Sequence, residues 1–89
     1  MQTLLNGVTT ETTSQTINVE GLHTITCNGL KDYKQRLNFY ISVDNENFVM
    51  FKSVDLKENV FNIYVGSSKI YVKFESQLTE NEPIYVKIS

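Results

Sequence analysis

The residues best suited to nucleophilic catalysis are the single histidine and the single cysteine of the chain, His23 and Cys27. A thiol becomes a nucleophile when an imidazole within hydrogen-bond reach takes its proton. Both residues lie in a run with two-residue alternation, which predicts a strand, so four residues separate them by about 13 Å. We therefore predict that Cys27 is a small buried hydrophobe and that His23 is a strand-edge residue with an ordinary hydrogen-bond partner.

Metal binding is the second chemistry to weigh. A structural zinc site needs four Cys or His ligands, and the chain contains two such residues in all. Oxygen ligands crowd one short stretch, where calcium is conceivable, but its spacing misses the EF-hand pattern and lacks that pattern's glycine. The stretch is Asp44, Asn45, Glu46 and Asn47. Asp and Asn also hydrogen-bond the backbone of tight turns, so we favour a turn and predict no metal and no cofactor.

Other catalytic and nucleic-acid-binding patterns are missing from the sequence. The four glycines are far apart and form no phosphate-binding loop, and the acidic residues are scattered through turns and outward strand positions. Eight Lys and Arg face ten Asp and Glu, which leaves a net charge of -2 and no basic patch. We predict that the protein is not an enzyme and does not bind nucleic acid.

Four tyrosines lie opposite the apolar residues of their predicted strands: Tyr40, Tyr64, Tyr71 and Tyr85. Tyrosine offers a flat apolar face and a hydroxyl, which suits contacts with proteins and with sugars. Tyrosines can also pair across strands and simply stabilise an exposed sheet. The sequence leaves open whether this exposed aromatic face meets protein, sugar or only water.

Short strands are the elements that would position these residues. Apolar and polar residues alternate from Ile17 to the end of the chain, most clearly where Leu37, Phe39, Ile41 and Val43 share one face. We predict turns at Glu20-Gly21 and at Gly66-Ser67-Ser68, and no helix. About seven one-sided strands predict an all-β fold, a single antiparallel β-sandwich of immunoglobulin-like or jelly-roll-like type, with a small barrel as the alternative.

Residues 1–16 differ from the rest of the chain, because they contain six threonines and few apolar residues. We predict an extended N-terminal arm or edge segment over 1–16 and the β-sandwich domain over 17–89. The arm is expected to bind a neighbouring subunit through Leu4, Leu5 and Val8 and through backbone hydrogen bonds. A chain of 89 residues has a thin core, which favours assembly with partners.

The sequence contains neither an apolar run of about 20 residues, as a membrane span requires, nor a signal-peptide pattern. The single Cys27 cannot form an internal disulfide. Synthesis and folding in a cytoplasm, without a membrane partner, are therefore expected.

Five short segments follow one another along the chain: Thr3 to Gly7, Val19 to Gly21, His23 to Cys27, Ser42 to Phe48, and Lys69 to Lys73. Together they resemble segments of small β-sandwich structural proteins from the virions of tailed bacteriophages. The segment from Ser42 to Phe48 is similar to that family's S-x-D-G-x-x-W hairpin pattern. The segment from Lys69 to Lys73 is similar to its K-Y-V-R-like strand. The chain departs from the pattern at Asn45, where the family usually has Gly, and at Phe48, where it usually has Trp.

The resemblance implies a non-enzymatic virion structural protein, a capsid decoration or auxiliary protein that binds and stabilises the head shell. The implied partners are the major capsid protein or other virion proteins, together with further copies of the chain on a particle assembled in the host cytoplasm. Two alternatives remain open. The domain can be a carbohydrate-binding or host-adhesion module that uses its outward tyrosines, or a structural subunit of the neck or tail.

Overall fold

The computed structural model describes residues 2–89, and within that range it contains seven strands and no helix. The strands are β1 (Gln2–Val8), β2 (Thr12–Thr13), β3 (Ile17–Asn28), β4 (Gln35–Ser42), β5 (Val49–Val54), β6 (Val60–Ser76) and β7 (Ile84–Ile88). The all-β prediction is confirmed. No helix in residues 2–89 is long and apolar enough to cross a bilayer.

All the strands belong to one antiparallel sheet with the order β1-β7-β3-β6-β4-β5, and the short β2 pairs with β6. The two long strands β3 and β6 pair at the centre and connect the β1-β7 side of the sheet to the β4-β5 side. Residues 60–65 and 68–70 of β6 pair with β3, and residues 69–76 pair with β4 on the other side of β6. Since the hydrogen bonds form one continuous sheet, the arrangement as a sandwich of two stacked layers stays a prediction.

The turns predicted at Glu20-Gly21 and at Gly66-Ser67-Ser68 are wrong, because β3 and β6 run through these positions. The register slips there: Val19 lies opposite Ser68 and Gly21 lies opposite Val65. Two residues of β6 therefore face one residue of β3, which is a β-bulge that bends both strands. Gly21 has a φ of +89°, which a glycine adopts without steric cost.

Among residues 2–89, one hydrophobic core contains the inward residues of both halves of the sheet. Its largest fully buried side chains include Phe39, Phe74, Ile25, Leu37 and Ile70. These residues occupy alternate positions on β3, β4 and β6, as the two-residue pattern predicted. Val43, predicted on the same face as Phe39, is instead 84% exposed because β4 ends at Ser42.

Of the two predictions for residues 1–16, the extended N-terminal arm is wrong for residues 2–8, which form an edge strand paired with β7. Leu4 and Leu5 are buried in the core of their own chain, and Val8 packs against it. The register shift between Thr3 and Leu5 is the physical reason, because this bulge turns two consecutive leucines toward the core. The leucines therefore do not lie on the surface, where a neighbouring subunit could contact them.

A buried glutamine, Gln35, forms a hydrogen-bond network at one end of the sheet. Gln35 accepts hydrogen bonds through Oε1 from the main-chain N–H groups of Lys31 at 2.7 Å and Asp32 at 3.0 Å. Its Nε2 donates to Asn81 Oδ1 at 2.9 Å, and Asn81 Nδ2 donates to the Thr9 carbonyl at 3.0 Å. This network joins the segments that precede β4 and β7 to the segment that follows β1.

Candidate functional site: the exposed hydrophobic surface

Cys27 is buried as the sequence predicts, and His23 has the predicted ordinary hydrogen-bond partners, although its strand β3 lies inside the sheet rather than at an edge. Cys27 is buried, and burial, together with the negative charge of Glu58, raises the pKa of its thiol to about 12. The thiol therefore stays protonated near neutral pH and is a poor nucleophile. The two ring nitrogens of His23 lie within hydrogen-bond distance of main-chain carbonyls, Nδ1 at 3.0 Å from Ser89 O and Nε2 at 2.9 Å from Glu20 O. The ring joins the end of β7 to the bulge in β3.

The stretch that follows β4 is a turn held by Asp44, as predicted. The Asp44 carboxylate accepts hydrogen bonds from the main-chain N–H groups of Glu46 at 2.9 Å and Asn47 at 3.0 Å, and from the Ser42 hydroxyl at 2.8 Å. Asn45 adopts a left-handed conformation, with a φ of +64°, which asparagine tolerates in tight turns. The described residues contain no group of three or more His, Cys, Asp or Glu placed to hold a metal ion.

These hydrogen bonds predict a pH dependence of stability. The main-chain N–H groups of Asn47 and Glu46 hold the pKa of Asp44 well below its usual range. The ionised carboxylate therefore stabilises the folded chain above about pH 4, and this contribution is lost as the pH falls toward the lowered pKa. In urea titrations from pH 7 to pH 2, Asp44→Asn should destabilise the chain at pH 7, and its difference from the wild type should shrink steadily as the pH falls below about 4. Glu46→Gln is the control, and a constant difference between wild type and Asp44→Asn across the pH range would contradict the assignment.

Tyr40 and Tyr71 form a cross-strand pair. They lie directly opposite each other on β4 and β6, and their rings stack with centroids 4.8 Å apart and an interplanar angle of 13°. Phe48 packs against Tyr71 at 5.1 Å. Both tyrosines are half-buried. The interpretation as a sheet-stabilising pair is confirmed for these two residues, because each ring covers part of the other.

Tyr64 and Tyr85 lie apart from that pair, so the four tyrosines do not share one cluster. Tyr64 is 83% exposed and lies opposite Leu22, which is 67% exposed. Tyr85, on β7, is 39% exposed, and its ring leans over Gly7: a Cβ at Gly7 would lie 3.3 Å from the Tyr85 hydroxyl.

Exposed aliphatic and aromatic residues instead define two patches. The edge patch consists of Leu22 and Tyr64, which lie opposite each other on β3 and β6, with the exposed Val60 four residues away on β6. The hairpin patch consists of Val43, Val49 and Met50 around the β4–β5 connection, where the consecutive Val49 and Met50 project from opposite faces of β5. Sequence reasoning missed both patches except for Tyr64. Leu22 and Val60 carried a signal, because an apolar residue at an outward position of an alternating strand is left exposed.

No family model, curated protein or solved structure matches the chain. The resemblance to phage virion proteins therefore depends on the sequence segments quoted above. The features of the structure that bear on function are the two exposed patches and the all-β fold that carries them.

Proposed function

We propose that this chain is a non-enzymatic structural subunit of a tailed-phage virion, a capsid decoration or auxiliary protein that binds the head shell or other virion proteins. The observation that carries the proposal is the exposed hydrophobic surface. Within residues 2–89, eight large hydrophobic residues are exposed. Clustered apolar residues on the surface of a small domain are typical of protein interfaces.

The hairpin patch is the surface assigned to the virion partner. Val43 lies just beyond β4, and Val49 and Met50 lie opposite Ile41 and Tyr40 on β5. The Asp44 turn orders the backbone that connects the two strands, so this connection loses little conformational freedom when a partner binds.

The fold agrees with the family that the segments resemble. The resemblance implies a small all-β protein, and the chain is all-β. Asn45 has the left-handed conformation that the family's glycine would adopt in the same hairpin. Phe48, which stands in place of the family's Trp, packs on Tyr71.

The carbohydrate-binding alternative has less support from the geometry. A sugar ring stacks on an open aromatic face, whereas Tyr40 and Tyr71 are half-buried and stack on each other. Tyr64 is the open ring of the four, and its cross-strand neighbour is the aliphatic Leu22. The alternative location, in a neck or tail, uses the same hairpin patch and remains a prediction.

A particle-occupancy experiment tests the proposal. The tagged chain is produced in cells that assemble the particle, and particles purified on a density gradient are assayed for it by quantitative immunoblot. We expect the wild type to band with particles and Met50→Glu to lower occupancy by about tenfold or more, since binding would then bury a charge without a partner.

The matched control is Gln77→Glu, which makes the same charge change at an exposed position outside both patches. It should leave occupancy at the wild-type level. Wild-type chain that stays in the soluble fraction would refute the proposal. Saturable binding on a glycan array, lost on Tyr64→Ala, would support the adhesion alternative instead.

A further inference from the structure

The first part of β6 has an edge that no strand covers. Residues 60–65 pair with β3 on one side, whereas β4 pairs with β6 only over residues 69–76. Within residues 2–89, the other side of the 60–65 segment therefore pairs with no strand. The exposure of Val60 and Tyr64 agrees with an open edge.

The hydrogen-bond register shows which backbone groups face that edge. Cys27 N donates to Asn59 O at 2.8 Å, so residues 27 and 59 form a hydrogen-bonded pair of the β3–β6 ladder. Such pairs alternate along an antiparallel ladder, so Phe61 and Ile63 also bond to β3. The N–H and C=O groups of the three residues in between, Val60, Asn62 and Tyr64, point outward to the open edge.

This edge lacks the devices by which proteins usually prevent edge pairing. The outer strand β1 carries two register shifts, and the outer strand β5 carries one register shift and a lysine, Lys52. In contrast, residues 60–65 pair with β3 in unbroken register. Their sequence, Val-Phe-Asn-Ile-Tyr-Val, contains no charge, no proline and no glycine. A segment of this kind pairs readily with another strand.

We propose that residues 60–65 pair antiparallel with the same segment of a second copy of this chain, about a two-fold axis at Asn62. This inference goes beyond the proposed function, because purified chains can pair in this way whether or not they bind a particle. A two-fold contact requires a self-complementary surface. The absence of charge in the segment lets two copies meet without repulsion despite the net charge of -2.

The pairing forms hydrogen bonds between the two backbones and contacts between the side chains. With Asn62 opposite Asn62 of the second copy, Val60 lies opposite Tyr64 of that copy, and about six backbone hydrogen bonds form. The pair of Tyr64 with Val60 is an aromatic and β-branched contact of a favourable kind. Thr24 Oγ1 donates to Asn62 Oδ1 at 2.8 Å, and in the described chain Asn62 Nδ2 has no partner of its own. The two amides can therefore meet across the axis.

Disulfide trapping tests both the contact and its register. Directly opposed residues of a hydrogen-bonded antiparallel pair have Cα atoms about 5.5 Å apart, within the range of a disulfide. With diamide as the oxidant, Asn62→Cys should cross-link to itself at least about tenfold faster than Tyr64→Cys, because residue 64 would lie about 13 Å from its own copy across the axis. The product is a dimer with twice the monomer mass of 10.2 kDa.

Val49→Cys is the matched control, because Val49 is similarly exposed on a different edge strand, and the native Cys27 is buried. Equal cross-linking rates for the three variants would overturn the proposal. A second measurement, sedimentation from about 5 µM to about 500 µM, avoids cysteine. The range extends to high concentration because interfaces smaller than about 1,200 Å² are weak. Asn62→Lys should remain monomeric, whereas the wild type and Val49→Lys should dimerise.

A wild type that stays monomeric over that range would also overturn the proposal. Neither result depends on particle occupancy, so failure of this inference and failure of the proposed function are distinguishable.

Discussion

Replacing Leu5 with alanine is expected to lower the free energy of unfolding by about 2–5 kcal/mol. Leu5 is 3% exposed and lies on an edge strand that covers β7 and the core beneath it. A domain of this size has only about 5–15 kcal/mol of stability, so the loss is large. Urea titration followed by circular dichroism measures it. Thr3→Ala, at an exposed position of the same strand, is the control and should change stability by less than about 0.5 kcal/mol.

Removal of residues 1–13 provides the complementary experiment. If these residues formed a free arm, the remaining domain would stay folded. Because β1 pairs with β7, and β2 pairs with β6, the deletion exposes backbone groups and core residues, and we expect the truncated chain to be unfolded or aggregated. A truncated chain with the wild-type unfolding midpoint would show that β1 contributes nothing to the fold.

Gly29→Ala is expected to destabilise the chain by about 2–5 kcal/mol, through backbone strain and a steric clash together. Gly29 has a φ of +114°, and a Cβ there would lie 2.2 Å from the Pro83 carbonyl oxygen and 3.0 Å from Ile84 Cδ1. The backbone of the segment before β7 cannot move away without breaking the β3–β7 pairing.

Alanine substitutions at Gly66 and Gly21 separate the effect of backbone strain from that of the steric clash. A Cβ at Gly66 would meet no atom within 4 Å beyond its chain neighbours, and Gly66 has no positive φ, so Gly66→Ala should be nearly neutral. Gly21 has a φ of +89° but equally open space around it, so Gly21→Ala should lose only the strain, about 1–2 kcal/mol. Thermal unfolding of the three variants gives the order, and a Gly29→Ala variant as stable as Gly66→Ala would contradict the assigned clash.

The sequence predicts the strands well because two-residue alternation is a local signal. Leu37 and Phe39, and likewise Val72 and Phe74, alternate with polar or amphipathic residues, and all four are buried. The alternation follows directly from the pleat of a strand, whatever the topology. The all-β class, the buried Cys27 and the Asp44 turn could therefore be predicted without a structure.

The sequence misleads where one residue type serves two purposes. Gly21 and Gly66 look like turn residues, yet they lie at a bulge inside two long strands. Only Gly21 of the two has a positive φ, which a glycine adopts at a bulge as readily as in a turn. The threonine-rich composition of residues 1–16 favoured a loose arm, although Leu4 and Leu5 are buried. A bulge against β7 turns both of them inward, and that pairing links the two ends of the chain.

The candidate surfaces were the hardest part to predict, because they depend on strand order. Whether the edge at residues 60–65 is open depends on where β4 stops pairing with β6, and no local pattern encodes that position. The tyrosines illustrate the same point. Their outward positions were predictable, but the register that stacks Tyr40 on Tyr71 and places Tyr64 beside Leu22 was not.

A cryo-electron microscopy map of particles purified from cells that produce the chain tests the central claim most directly. We predict density for an all-β domain of 10.2 kDa at regular positions on the particle, with the hairpin patch of Val43, Val49 and Met50 against a virion protein. Particles without such density, from cells in which the chain is abundant and folded, would contradict the account.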